Sequence, residues 1–403
     1  MKADATIGTA PAEPVEGFSV GRALRALGRG ELGSVRVLVG IAVIWTIFQI
    51  SNDRFLSAVN LSNLTLQIAA TATISIGVVL VLLLGEIDLS VGAVSGLAAG
   101  VMAVLSVQHG WPPILGIVAA LAVGMAIGLF NGFMVTAFGI PSFVVTLAGL
   151  LGWQGALLFV LGDTGSVNLP PSLITDLTTT FFDSVVGWVL AIVAIAAYAG
   201  SVLLARRRRA AAGLEVGALT GVVVRLVLVA AAIVAAVAIL NSDRGVPLAA
   251  VIVVVLMVVF TFITERTRYG RHIFAVGGNQ EAARRAGIRI NWIKMSVFTL
   301  ASTLAAAGGI LAASRGLAVN QQSGTGDVLL LAIAGPVIAG TSLFGGRGFV
   351  WSALLGALVI GSISNGMDLL ALDSDVKFMI TGAVLLGAVT IDAATQRRRA
   401  TAT

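Results

Sequence analysis

The 403-residue sequence predicts an all-α fold, a polytopic transmembrane helical bundle of about twelve spans with both termini cytoplasmic. Three observations carry that reading. The chain is 58% hydrophobic and only 11% charged, against roughly 25% charged in soluble domains, and its mean hydropathy is +1.02. Its apolar residues come in continuous runs of Ala, Val, Leu, Ile and Gly, each near the ~20 residues that a helix needs to cross a hydrocarbon core. Its basic residues gather at alternate ends of those runs.

A spanning β-barrel would need apolar and polar residues to alternate, and these runs do not. A helix satisfies its own backbone hydrogen bonds in lipid, so helices are the natural form of such runs. Cysteine is absent, which excludes a disulfide framework and a thiolate metal site.

Residues 1–34 read as a cytoplasmic tail. Met1 to Gly17 is rich in Ala, Pro and Glu with no apolar core, so it reads as a disordered tail and not as a signal peptide. From Phe18 to Arg36, Arg22, Arg25, Arg29 and Arg36 stand among Leu24, Leu27 and Leu32. That pattern suits an amphipathic segment on an anionic membrane face, or simply the positive flank of the first span.

The membrane domain covers 35–395, with spans near 35–51, 62–84, 90–107, 114–137, 142–161, 184–205, 217–240, 246–263, 292–314, 328–344, 349–370 and 376–394. Threaded with the N-terminus inside, the cytoplasmic side receives Arg206–Arg209, Arg266, Arg268, Arg271, Arg284, Arg285, Arg289, Lys294, Arg347 and a basic tail over 396–403. The opposite side receives Arg54, Arg244 and Arg315 together with Asp53, Asp163, Asp176, Asp183, Asp243, Asp373 and Asp375. This asymmetry follows the positive-inside rule. Because Arg206–Arg209 and Arg397–Arg399 directly follow spans, membrane lipid accounts for them and no nucleic acid is needed.

Several features inside this frame are specific. Gly92, Gly96 and Gly100, and again Gly124, Gly128 and Gly132, recur four apart, which suits close helix packing or a pathway lining. The outer loop Gly162 to Asp183 is a connector or a contact for a soluble partner. Arg225 inside the seventh span either snorkels to the interface or pairs functionally. Pro141 starts a helix, and Pro336 kinks the tenth span.

Two segments point to work. In Gly85–Gly92, Glu86 and Asp88 sit between long apolar runs, where carboxylates are costly and tend to be functional; Asp88 or Ser90 can also act as a helix cap. Within the cytoplasmic loop 264–291, Asn279 or Gln280 opens a short helix through Glu281–Ala286 and Gly287 closes it. The remainder excludes catalysis: His109 and His272 form no metal pair, and neither a G-x-S-x-G elbow nor a phosphate loop occurs.

These segments, with Asn131-Gly132, Gly139–Leu147, Thr341–Gly348 and Asn365-Gly366, resemble the permease subunits of ABC-type monosaccharide importers of the ribose and xylose type, closest to the xylose branch. The spans at 184–205 and 217–240 with the basic segment between them look like the insertion that distinguishes the xylose type. The resemblance implies a non-enzymatic, homodimeric permease of the bacterial plasma membrane, carrying a pentose such as xylose. It implies a cytoplasmic ATPase that binds ATP and Mg, a sugar-binding protein outside, and no cofactor on this chain. It maps ATPase coupling onto Gly278, Asn279, Glu281, Ala282, Ala283, Arg284 and Gly287. One departure is Gly324-Thr325-Gly326 followed by Asp327-Val328-Leu329, where family members often have a Tyr and two acids. A neutral sugar needs scattered hydrogen-bonding groups, for which the candidates are Asp88, Ser90, Asn131, Thr146, Gln321, Gln322 and Asn365. The alternative is a secondary transporter driven by an ion gradient, which would use Glu86, Asp88 and Arg225 but leaves the Glu281 loop without a role.

Overall fold

The computed structural model describes residues 33–214, 216, 219–383, 386, 387 and 390. The expectations for the tail up to residue 32 and for Arg397–Arg399 lie outside the described residues.

In chain order the helices are α1 (Gly33–Ser51), α2 (Ala58–Leu83), α3 (Val91–Ala103, continued by a wider turn to Gln108), α4 (Pro113–Ala137), α5 (Ser142–Leu161), α6 (Leu173–Thr179), α7 (Ser184–Ala211), α8 (Leu219–Asn241), α9 (Leu248–Arg266), α10 (Arg268–Gly278), α11 (Gln280–Arg285), α12 (Ile290–Gly316), α13 (Asp327–Ile338) and α14 (Ser352–Leu369). Residues 374–383 are also helical, where the sequence predicts a span over 376–394. Among the described residues, nine helices are long and apolar enough to cross a bilayer, and the apolar stretches Val37–Ser51 and Val328–Ile338 are shorter. The molecule is thus a polytopic helical membrane protein.

Helix α12 runs through the middle, packed against α4, α2 and α3. Phe298 is fully buried on it, amid Leu64, Ile76, Leu80 and Met257 of α2 and α9. A second core, with Ile74, Val94, Met102, Leu157 and Ile310, fills the space between α2, α3, α5 and α12. Both glycine stripes serve packing. A Cβ on Gly124 would lie 2.6 Å from the Ser302 carbonyl oxygen, and one on Gly128 would lie 2.6 Å from the Thr299 Cα, so α4 and α12 touch backbone to backbone. Outward residues such as Leu151, Phe159 and Ile192 are exposed, as a lipid-facing surface requires.

Four expectations need correction. The all-α class holds for the bundle, but two short antiparallel ribbons occur: β1 (Ser166–Asn168) with β4 (Ala318–Asn320), and β2 (Phe181–Phe182) with β3 (Val246–Pro247). The loop Gly162 to Asp183 is no loose connector. It folds into β1, α6 and β2 and closes over the end of α12, where Thr178 and Ser314 share a hydroxyl hydrogen bond of 2.8 Å and the Ser314 hydroxyl donates to the Thr175 carbonyl at 3.1 Å. The tenth span, predicted to reach 344, ends at Ile338. Two residues past Pro336 the helix closes, Gly340 takes φ +104° and the Thr341 N–H returns to the Pro336 carbonyl at 2.9 Å.

Finally, the stretch Gly270–Gly278, read as loop, is helical α10. Thr267 caps it by accepting from the Gly270 N–H at 3.1 Å. Ile273 and Val276 bury themselves against the bundle, and burial of that face outweighs the poor helix propensity of three glycines.

The stripe contact gives a direct test. Gly128→Leu forces a side chain into the α12 backbone and should lower the melting temperature of the detergent-solubilised protein, the overpacking cost being about 1–3 kcal/mol or more. Gly152→Leu, where a Cβ would meet open space, should melt like the parent. Equal melting of both variants would remove the packing role of the stripe.

Candidate functional site

The break between α2 and α3 carries the first constellation. Asp88 is buried, and its Oδ1 accepts from the Ser90 N–H at 2.8 Å and from the Ser90 hydroxyl at 2.6 Å. This local turn orients the start of α3, while Ser90 itself makes no capping bond through its side chain. The Ser90 oxygen in turn accepts from Asn131 Nδ2 of α4 at 3.1 Å. Thr146 on α5 donates to the Ser142 carbonyl at 2.9 Å and reaches the Ile87 carbonyl at 3.4 Å. Asp88, Ser90, Asn131 and Thr146, far apart in sequence, therefore converge on one buried node.

That node is not fully satisfied. Asp88 Oδ2, Asn131 Oδ1 and Trp153 Nε1 are buried without a hydrogen-bond partner, and the Trp153 nitrogen lies against Gly149 at the edge of the node. Two acceptors and one donor without partners are costly in a dry interior. Glu86, by contrast, is paired with Lys294 of α12 at 2.5 Å.

The other three pathway candidates are elsewhere. Gln321 and Gln322 lie in the turn after β4, exposed, with the Gln321 carbonyl accepting from Gln154 Nε2 at 2.9 Å. Asn365 on α14 exchanges amide hydrogen bonds with Asn60 of α2, at 2.7 and 3.1 Å. Nothing brings these three to the Asp88 node.

The second constellation is α10 and α11 at the base of the bundle. Asn279 caps α11, its Oδ1 accepting from the Ala282 N–H at 2.9 Å. At the other end Gly287 takes φ +79°. Its N–H bonds the Arg284 carbonyl at 3.0 Å, and the Ile288 N–H bonds the Ala283 carbonyl at 3.1 Å, the paired pattern that closes a helix with a left-handed glycine. Both start and stop signals are as the sequence predicts. Ala283 is the buried residue of α11, while Ala282, Glu281, Arg284 and Gly278 are exposed. Glu281 pairs within the helix with Arg284 at 3.2 Å and Arg285 at 3.4 Å.

Helix α10 fixes this element to the bundle. Tyr269 packs edge-on against Trp292 at 5.5 Å between ring centroids and shares a 2.8 Å hydrogen bond with Ser296. Burial raises the pKa of the Tyr269 phenol, the Ser296 bond opposing it less strongly, so the hydroxyl stays neutral.

Sequence reasoning missed the joint between the two constellations. Gly277 at the end of α10, Leu83-Leu84-Gly85 at the end of α2, and Gly345-Gly346 after α13 meet backbone to backbone. The Gly346 N–H donates to the Leu83 carbonyl at 2.9 Å, and a Cβ on Gly277 would run into that same carbonyl. A Cβ on Gly345 would lie 2.7 Å from the Gly277 carbonyl oxygen and the Gly85 nitrogen. The signal was present as glycines in three separate motifs, but only the fold puts them together.

The fold and the site define a polytopic helical membrane protein with a short helix capped at both ends at the base of its bundle. Residues 60–389 match the family described as branched-chain amino acid transport system / permease component, and the chain belongs to that family. It is 37% identical to the xylose transport system permease protein of Escherichia coli (strain K12), over 90% of this chain and 92% of that one. It is 35% identical to the protein of the same description from Haemophilus influenzae (strain ATCC 51907 / DSM 11121 / KW20 / Rd), over 90% and 96%. The ribose import permease protein of Bacillus subtilis (strain 168) is 29% identical over 90% and 94%. No solved structure matches the chain.

The amide pair separates a structural from a transport role for Asn365. Asn365→Leu leaves the buried Asn60 Oδ1 without its partner, while Asn60 Nδ2 keeps its bond to the Phe55 carbonyl at 2.8 Å, and should cost about 1–3 kcal/mol. The double variant Asn60→Leu/Asn365→Leu should cost less than the sum of the two single changes. Melting temperatures in detergent measure this cycle, and strict additivity would contradict the pairing.

Proposed function

We propose that this chain is the membrane-spanning subunit of an ATP-driven importer of a monosaccharide, a pentose such as xylose, in a bacterial plasma membrane. The observation that carries the reading is the likeness to xylose permeases along nearly the whole length of both chains. In this reading the chain has twelve spans with both termini inside, a sidedness supported by the distribution of arginines. Two copies assemble with a cytoplasmic ATPase that holds ATP and Mg, and a sugar-binding protein delivers substrate from outside.

The coupling role falls to Gly278, Asn279, Glu281, Ala282, Ala283, Arg284 and Gly287. Capped at both ends and anchored through Ala283, α11 is a short rigid element with an exposed face, the form that transmits displacement between packed bodies. The pathway role falls to Asp88, Ser90, Asn131 and Thr146. Their unpartnered oxygens, with the Trp153 N–H, offer the acceptors and donor that a neutral, hydroxyl-rich solute takes up.

Uptake of labelled xylose by cells carrying the complete transporter tests the proposal, with ion gradients collapsed and ATP maintained. Uptake should persist. Glu281→Lys reverses a charge beside the positive end of α11, and Gly287→Val places a β-branched residue at positive φ, a strain of roughly 1–3 kcal/mol. Both variants should reach the membrane and lose most uptake. Uptake that collapses with the gradients, or normal transport by both variants, would contradict the reading.

A further inference from the structure

The turn between β4 and α13 reaches farther into the bundle than its place in the chain suggests. Strand β1, the partner of β4, lies beside the wider turn Val104–Gln108 that ends α3. From Asn320 the chain then doubles back along α3 to that helix's first turns. A Cβ on Gly96 would run into the Ser323 carbonyl, one on Gly92 into the Gly324 carbonyl, and one on Gly324 would lie 2.6 Å from the Gly96 nitrogen. At 1.5 Å per residue Gly92 is about 18 Å along α3 from Val104, more than half of the roughly 30 Å of hydrocarbon in a bilayer. Gly92 also follows Ser90 by two residues, so the backbone of this turn stops beside the polar node.

Irregular backbone at such depth is tolerated only where protein buries it or where it lines water. The turn satisfies part of the demand itself. The Ser323 N–H donates to the Asn320 carbonyl at 3.0 Å, the Thr325 N–H to the Gln322 carbonyl at 3.0 Å and the Gln322 N–H to Asn320 Oδ1 at 2.9 Å. Gly324 and Gly326, at φ +75° and +63°, allow the reversal. Yet Asn320, Gln321 and Gln322 are exposed. Moving an amide from water into hydrocarbon without partners costs roughly 2–7 kcal/mol, so these side chains face water and not acyl chains. Helix α5 ties the turn to the node. Gln154 Nε2 donates to the Gln321 carbonyl at 2.9 Å, and the preceding residue, Trp153, carries the buried, unpartnered N–H at the edge of the node.

We propose that residues 320–326 form the re-entrant wall of a water-filled vestibule that leads a neutral polyol to the Asp88 node from the end of the bundle away from α11. Asn320, Gln321 and Gln322 supply this wall with uncharged donors and acceptors. A hydroxyl-rich solute exchanges its bonds to water for bonds to such amides, whereas nothing in the three residues offsets the desolvation of a charged one. The amide side chains stay outside the node, and the backbone of the turn, held by Gln154, closes the vestibule against it. As a route for substrate the vestibule rests on the pathway role proposed for the node, and its opening to the outside rests on the proposed sidedness. Its water-filled character depends on neither.

The chain has no cysteine, so single cysteines placed in the full chain in lipid nanodiscs report their surroundings without background. Two thiol reagents are compared, a small cationic methanethiosulfonate and a polyethylene-glycol-linked maleimide. His109→Cys, in the exposed turn after α3, should react with both. Phe159→Cys, on the outward face of α5, should react with neither, because the reactive thiolate does not form in hydrocarbon. Gln322→Cys should react with the small reagent at least about tenfold faster than Phe159→Cys and should refuse the large one. Reaction of Gln322→Cys with both reagents marks a surface turn, and reaction with neither marks a dry one; either result overturns the proposal. In cells, the small reagent should block xylose uptake through Gln322→Cys and spare it through His109→Cys. Full uptake by completely labelled Gln322→Cys would overturn the route. Lack of xylose uptake by the parent chain would contradict the proposed function instead, with the labelling pattern still deciding the vestibule.

Discussion

Three glycine-bearing segments that can approach only as bare backbone hold the working parts of this permease together. The Leu83 carbonyl accepts the Gly346 N–H at 2.9 Å, Gly277 presses against the same carbonyl, and Gly85, Gly345 and Gly346 all take positive φ. Side chains could absorb a shift by changing rotamer, but a contact between main chains has no such slack. In the proposed account, motion of α11 reaches the α2–α3 break through this contact. The break is also where Asp88 and Ser90 sit, so in that account the proposed coupling element and the polar node are two ends of one short mechanical path. Glu86, paired with Lys294 of α12, ties the same break to the central helix.

The opposite end of α12 is built differently. There β1 with β4 and the hydroxyl contacts of α6 with Ser314 brace the end of α12, while Arg244 lies 4.3 Å from the Phe181 ring centroid and bonds Asn63 at 2.9 Å. Helix α12 is thus held by backbone contacts along α4, by the Glu86–Lys294 pair at one end and by a folded cap at the other. The α7–α8 hairpin stands outside this frame.

Much of this was legible in the sequence because a bilayer leaves few choices. Uninterrupted apolar runs gave most helices with nearly the observed ends, and Asn279 and Gly287 announced the start and stop of α11. Helix α10 was hidden because Gly270, Gly277 and Gly278 argue against helix, and only the buried faces of Ile273 and Val276 reverse that. The end of α13 was overrun because Ala339, Leu343 and Phe344 continue the apolar pattern past the turn at Gly340. Ribbons of two and three residues are too short to show a period. At the site, Asp88, Ser90, Asn131 and Thr146 were chosen for chemistry and the fold brings them together. Asn365 was chosen on the same grounds and is paired elsewhere, since hydrogen-bonding capacity alone does not say who the partner is. The glycine joint was out of reach for a related reason: contacts between segments far apart in the chain leave no local signature.

The central claim is that the joint transmits motion, and transport coupled to ATP hydrolysis by the Gly277→Ala variant measures it most directly. A single methyl group there must displace the Leu83 carbonyl, whereas at Gly152 it would enter open space. The account predicts that Gly277→Ala assembles with its ATPase but loses substrate-stimulated hydrolysis and most uptake, while Gly152→Ala transports normally. Full uptake with stimulated hydrolysis in Gly277→Ala would contradict it.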